Sequence, residues 1–277
     1  MMETLQTDLL SPEEAAGQAF LTTAPNGLRY ATFGRLDAPN TTPAELARLA
    51  GAVPVGLVEG LGRYVYLFVP LALSGARLEG DESAPFAAAD RTFIAPVYSA
   101  ALAENSICHR NARVGDTEYV ILSSRLHVDR FALAFEFCIN VSHNFVDGAG
   151  APPEFADLVW KQAIAGIKGE TSIDAWEERA AALGQPVSET EKKETLPAFR
   201  AEMVDEKARS AYQASAFADA LAIYLLSLTL DFDYADLRER EYPLLSAPAL
   251  AERLRAVSRL FPANAGYSFQ ILYRRKP

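Results

Sequence analysis

Tyr64 to Leu73 reads YVYLFVPLAL, a near-continuous apolar run. A strand with one face in water alternates apolar and polar residues, so an unbroken run of this kind is expected of a strand covered on both faces. Pro70 lacks an amide hydrogen and is expected to end the strand or to set it at a sheet edge. Around this run, helix starts are written in capping chemistry. Ser11-Pro12-Glu13-Glu14 sets a hydroxyl at the N-cap, proline at the first helical position and glutamate at the third, and Thr42-Pro43-Ala44-Glu45 repeats the device. Leu28 to Leu36 reads as a strand between them.

The chain has 277 residues, half of them hydrophobic, and a formal charge of −10. That is enough chain for a sizeable core. The negative balance argues against nucleic acid, which demands clustered Lys and Arg, and the one tight basic cluster is Arg274-Arg275-Lys276. Met1 to Gly17 carries Glu3, Asp8, Glu13 and Glu14 and no basic segment followed by an apolar run, so it does not read as a signal peptide. With Cys108 and Cys138 the only cysteines, a disulfide framework is excluded, and a cytoplasmic setting is expected. The greasiest stretch, Ala216 to Leu230, is interrupted by Asp219 and is shorter than the ~20 residues of a membrane helix, so no membrane span is expected. It reads as a core helix or as the contact of a homo-oligomer.

From Glu118 to His143 the residues alternate. Val120, Leu122, Leu126 and Val128 predict one strand, and Phe131, Leu133, Phe135, Phe137, Ile139 and Val141 predict a second that delivers His143 to a glycine-softened turn. With Asp129-Arg130 as the turn, the two form an antiparallel pair, and Glu136, Asn140 and Ser142 face away from the apolar row. Helices are predicted from Pro153 to Gly166, Ser172 to Leu183 and Pro248 to Leu260, and the charge-dense stretch from Pro186 to Arg209 reads as a solvated face or connector. Tyr267, Phe269, Ile271 and Tyr273 alternate as a last strand. The fold class is therefore α+β, a single domain over 1–277. It has a mainly antiparallel sheet with packed helices (sheet-rich 1–170), a helix-rich second half (171–262) and a final strand at 265–275 that returns to the sheet.

At the rim of a core His143 is partly desolvated, which favours the neutral imidazole that a general base needs. Asp147, Gly148 and Gly150 follow, and glycines permit a sharp turn and leave room for a ligand. The segment Phe-Cys-Ile-Asn-Val-Ser-His143-Asn-Phe-Val-Asp147-Gly148 resembles the His-x-x-x-Asp-Gly segment of the CoA-dependent acyltransferase superfamily. That group includes chloramphenicol acetyltransferase, the BAHD-type acyltransferases and the condensation domains of peptide synthetases. The resemblance implies transfer of an acyl group from a CoA-type thioester to a hydroxyl or amine, with acyl-CoA as co-substrate and no tightly bound cofactor. It implies His143 as the base, Asp147 as a partner that holds the loop through an arginine, and Gly148 for the turn. Ser142 and Asn144, flanking the histidine, join Gly148 as candidate substrate contacts.

The same residues admit a plainer reading, a core-edge histidine bonded to a backbone carbonyl with Asp147-Gly148 as an ordinary turn or helix cap. The protein is then a non-catalytic assembly or interaction factor, or a binder of small molecules. Other chemistries are not written in the chain. His109, His127 and His143 have no chelate spacing, so no metal is expected, and Glu59-Gly-Leu-Gly62 has neither the lysine of a P-loop nor a dinucleotide fingerprint. Cys108-His109 are sequence neighbours, which a thiol–imidazole pair seldom is, and no serine sits in a Gly-x-Ser-x-Gly elbow.

Overall fold

The computed structural model describes residues 9–75, 91–124, 130–185, 204–231 and 242–271. It is α+β, and the chain divides into two compact units, Met1–Asn140 and Val141–Pro277.

The first unit opens as its caps dictate. Helix α1 (Pro12–Gln18) starts at Ser11, whose Oγ accepts the Glu14 amide at 3.2 Å while Glu14 accepts the Ser11 amide at 2.8 Å. Strands β1 (Phe20–Thr23) and β2 (Arg29–Thr32) follow. Helix α2 (Pro43–Gly51) is capped by Thr42, and a single-turn helix α3 spans Val55–Val58. These helices lie in the connection between β2 and β3 (Tyr64–Val69), which run parallel, as parallel neighbours require. After β4 (Leu71–Ser74) come β5 (Thr92–Ala95), a short helix α4 (Ala100–Ala103), β6 (Ser106–Ile107), β7 (His109–Val114) and β8 (Thr117–Ser123). One sheet has the order β1-β2-β3-β8-β7 and the other β5-β4-β6. Pairing is antiparallel except that β2 and β8 both run parallel to β3.

Pro70 does what its missing amide predicts. The apolar run breaks there, β3 pairing with β2 and β8 and β4 pairing with β5 and β6, so one run of residues feeds two sheets. The Ser124 hydroxyl donates to the Pro70 carbonyl that the break leaves outside a ladder. Gly34 sits at the same corner with φ of +72°, and a Cβ there would collide with the Pro96 carbonyl and press on the Pro70 ring.

All six residues of β3 are buried, as the uninterrupted run requires. Val65, Leu67 and Val69 join a cluster with Ala31, Ile94 and Ile121. Tyr66 and Phe68, on the alternate positions, meet Phe137, at ring-centre distances of 5.2 and 6.0 Å. Burying a side chain like Phe137 stabilises the fold by roughly 1.5–3 kcal/mol.

Phe137 lies on a helix, α5 (Arg130–Ala149), and not on the strand that the alternation from Phe131 to Val141 predicts. The predicted hairpin with β8 is therefore replaced by helix-on-sheet packing, and the proposed turn at Asp129 lies outside the described residues. The reason is arithmetic. Every second member of a period-two row is a period-four row, and Leu133, Phe137, Val141 and Phe145 are the buried set. Phe131 and Phe135, one helical turn apart, stack at 5.7 Å. Glu136 pairs with His109 of β7 and accepts from Asn140 at 3.2 Å.

In the second unit, helices α6 (Pro153–Ile164), α7 (Ile173–Ala182) and α9 (Ala247–Leu260) pack on the 24-residue α8 (Glu206–Thr229). Asp205 caps α8, accepting the amides of Lys207 and Ala208 at 2.9 and 3.0 Å. Among the described residues α8 alone is long and apolar enough to cross a membrane, and 67% of its most apolar stretch is buried within the fold, as in a core helix. Phe217, Leu221, Ile223, Tyr224, Leu225, Leu226 and Leu228 are all buried, so the stretch read as a core helix or an oligomer contact is packed as a core helix. Residues 265–271 form no strand. Tyr267, Phe269 and Ile271 are half-buried between exposed neighbours, but Phe269 packs on Tyr224 of α8 at 5.1 Å instead of joining a ladder. The rest of the predicted strand, 272–275, lies outside the described residues.

The interior of this unit is ionic. Glu170, with no exposed surface, bridges α7, α8 and α9. Arg253 donates to its two carboxylate oxygens at 2.8 and 3.2 Å, Arg179 donates at 3.1 Å and the Tyr212 hydroxyl at 2.6 Å. Arg253 also donates to Gln162 Oε1 at 2.8 Å. Arg179 also donates to the Gly169 and Ala163 carbonyls, the latter at the partially negative C-terminal end of α6, while its buried Nε has no partner among the described residues. Two guanidiniums against one carboxylate leave a positive excess, which those carbonyls help to offset. Removing one partner of a buried pair strands the other charge and costs about 3–5 kcal/mol. Arg253→Ala is thus expected to lower the unfolding free energy by that amount, read in a urea titration as a lower midpoint at unchanged slope. A loss under about 1 kcal/mol would show that the cluster is not stabilising.

Candidate functional site

His143, Asp147 and Gly148 sit on the last turns of α5, where helical spacing puts His143 and Asp147 one turn apart on an exposed face. This corrects the strand-to-turn setting. The imidazole is exposed rather than at a core rim, and Gly148 is helical, so it makes no turn. The chain turns at Gly150, which has φ of +71° and whose amide donates to the Val146 carbonyl at 2.7 Å. Gly150 thus serves as the left-handed helix stop that glycine favours. Asp147 is exposed and takes no arginine among the described residues. Ser142 and Asn144 point the other way and are buried, out of reach of a ligand approaching the exposed face. The Ser142 hydroxyl has no hydrogen-bond partner among the described residues.

The His143 side chain makes no hydrogen bond or ion pair among the described residues, and the carboxyl on which its charge acts is that of Asp219 on α8. Asp219 was visible in the sequence only as the acid that interrupts an apolar stretch. A lone carboxylate in the middle of a core helix has to be satisfied by something, and that was the available signal. The Thr171 hydroxyl donates to Asp219 Oδ2 at 2.8 Å, and the Ser172 side chain bonds the same carboxylate. Ser172 Oγ meanwhile accepts the Ala175 amide at 3.1 Å and so caps α7.

The helix geometry makes this arrangement. Tyr212 and Asp219 are two turns apart on α8 and therefore share a face. They grip consecutive residues of the chain, Tyr212 holding Glu170 and Asp219 holding Thr171. Thr171 is buried, and its carbonyl accepts the Tyr242 hydroxyl at 3.0 Å.

Desolvation dominates the electrostatics of Asp219. Although part of the residue stays accessible, crowding of the carboxyl pushes its pKa up to about 6, with the charge of Glu170 adding to the rise. The Ser172 and Thr171 hydroxyls and the charge of His143 work in the opposite direction. An acid that titrates near neutrality beside an exposed imidazole can exchange protons with a ligand. Among the described residues no group of His, Cys, Asp and Glu side chains is arranged to hold a metal ion. Cys138 is buried, with its thiol pushed far up by desolvation, and so is a core residue and not a nucleophile.

Comparison with protein-family models, curated proteins and solved structures finds no match to this chain.

The raised Asp219 carboxyl has a stability consequence with a definite sign. The folded state holds this proton up to about pH 6, whereas the unfolded chain releases it near 3.8. Stability from this group is therefore present below pH 4 and is lost as the pH rises through 6. Allowing for the accessible part of the residue, the loss is on the order of 1–2 kcal/mol. Asp219→Asn should flatten the dependence of unfolding free energy on pH between 4 and 6, and an identical slope in both proteins would contradict the assignment.

Proposed function

We propose that the chain transfers acyl groups from a thioester donor, with His143 as general base and Asp219, not Asp147, as its carboxylate partner. The observation that carries this reading is an exposed imidazole whose charge acts on a carboxyl that two hydroxyls hold. The His-x-x-x-Asp-Gly segment supports the choice of acyl transfer as the reaction, though here it lies on a helix.

In the proposed step the neutral imidazole takes the proton of an acceptor hydroxyl or amine. The acceptor atom bonds the thioester carbonyl carbon, and the carbon–sulfur bond breaks. The imidazolium returns its proton to the leaving thiolate, so ester or amide and free thiol are the products. Asp219, ionised above about pH 6, stabilises the imidazolium between the two proton transfers. Acyl-CoA is the co-substrate of this scheme.

Release of thiol from acetyl-CoA and longer acyl-CoAs, with pooled alcohols and amines as acceptors, measures the activity. His143→Ala should lower turnover by about 100-fold or more, the usual contribution of a general base. Asp219→Asn should lower it about tenfold, and Asp147→Ala should leave it unchanged. Turnover that survives in His143→Ala removes the mechanism.

A second reading, a non-catalytic interaction protein, draws on the first unit. Strand β1 is an edge of the five-stranded sheet, and it exposes Phe20 and Leu21, at 74% and 53%. An exposed apolar edge is a template for another chain. If it is used, Phe20→Lys should shift the sedimentation profile toward a smaller species or abolish partner capture. Monomeric sedimentation of the unmodified protein, with no partner lost on substitution, would exclude this use.

A further inference from the structure

A carboxylate that serves His143 as proposed above has to be held in one orientation, because a freely rotating carboxyl would spend much of its time aimed elsewhere. Of the two hydroxyls that hold it, that of Thr171 belongs to a residue that is itself fixed on both sides. Its neighbour Glu170 receives Arg253, Arg179 and Tyr212, and both backbone groups of Glu170 are bonded, its amide to the Pro243 carbonyl at 3.0 Å and its carbonyl to the Leu245 amide at 2.9 Å. On the other side, Ser172 starts α7. The Thr171 carbonyl is taken by Tyr242 and its hydroxyl by Asp219. Gly169, just before the segment, has φ of +87°, and a Cβ there would run into the Leu244 backbone, so the chain passes too closely for any side chain.

We propose that Thr171 is a positioning residue for Asp219: anchored by the buried Glu170–Arg253–Arg179 cluster, its hydroxyl fixes the Asp219 carboxylate in one orientation. A hydroxyl that donates to the charged form of a carboxyl favours that form. The role as an aid to proton transfer rests on the function proposed above, but the effect on Asp219 does not. The charged groups that act on Asp219 among the described residues are His143 of α5 and Glu170, with Arg179 and Arg253 behind the latter. Thr171 differs from these in touching the carboxylate directly.

The test follows the carboxyl carbon of Asp219 by NMR through a pH titration of the whole chain, with Asp219→Asn to assign the signal. Thr171→Val removes the hydroxyl and keeps the shape. It should move the midpoint of Asp219 upward by about 1–2 pH units, the equivalent of one lost hydrogen bond to the charged form. Thr171→Ser keeps the hydroxyl and should leave the midpoint near that of the unmodified protein. A folded Thr171→Val protein with an unmoved midpoint overturns the proposal, as does a Thr171→Ser midpoint displaced as far as that of Thr171→Val. Should Thr171→Val not fold, the hydroxyl proton of Thr171 in the unmodified protein decides, since it must titrate with the Asp219 midpoint. A resonance that stays flat through that midpoint overturns the proposal.

Where thiol release is measurable, the acidic limb of its kcat/KM profile should move upward with the same variant and return with Thr171→Ser. Absence of any thiol release would sink the acyl-transfer reading and leave the NMR result standing. An unmoved Asp219 midpoint in an active enzyme would sink this inference alone.

Discussion

The second unit depends on one buried carboxylate. Glu170 lies in a segment between helices, without surface exposure, and an isolated charge there would cost several kcal/mol. The fold answers with two guanidiniums and a phenol, drawn from three helices that meet around it. Such a cluster adds little net stability compared with a greasy core of equal volume. Its value is geometric, since the guanidinium of Arg253 meets both carboxylate oxygens only when α9 stands in one position relative to residue 170.

The candidate site inherits that rigidity. Thr171 and Ser172 follow Glu170 directly, and their hydroxyls are the groups that meet Asp219. A polar residue in a core helix is tolerated because neighbouring residues of an already fixed segment satisfy it. The remaining burial is not wholly offset, and the result is a carboxyl that titrates near pH 6 instead of near 3.8. In the first unit the organising constraint is different and simpler. A strand with apolar side chains on both faces needs cover on both, and Val65, Leu67 and Val69 find it in one cluster while Tyr66 and Phe68 find it in Phe137.

Much of the local structure was legible. The capping box at Ser11, the cap at Thr42, the break at Pro70, the strand through Val120 and Leu122 and the helices predicted from Pro153, Ser172 and Pro248 all follow from side-chain chemistry a few residues long. The segment 131–149 was not legible as a helix. Its apolar residues fall on alternate positions, and that pattern contains the helical one as a subset, so periodicity alone favours the strand. The aromatic row from Tyr267 misled for a related reason. Its alternation in burial is real, yet no neighbouring strand accepts it, and Phe269 packs on a helix.

By itself, then, the sequence determined an α+β chain with known helix starts, a doubly covered strand, and a histidine and an aspartate that stand out in apolar surroundings. Only the tertiary structure set Asp219 within range of the charge of His143. Asp147 is four residues away in sequence and turns to solvent, whereas Asp219 arrives from another helix. The partners of Glu170 were equally out of reach, because they lie 9, 42 and 83 residues from it. Caps and turns are short-range, and their partners lie within a few positions along the chain. Charge neutralisation in a core is set by proximity in space, which the order of residues along a chain does not encode locally.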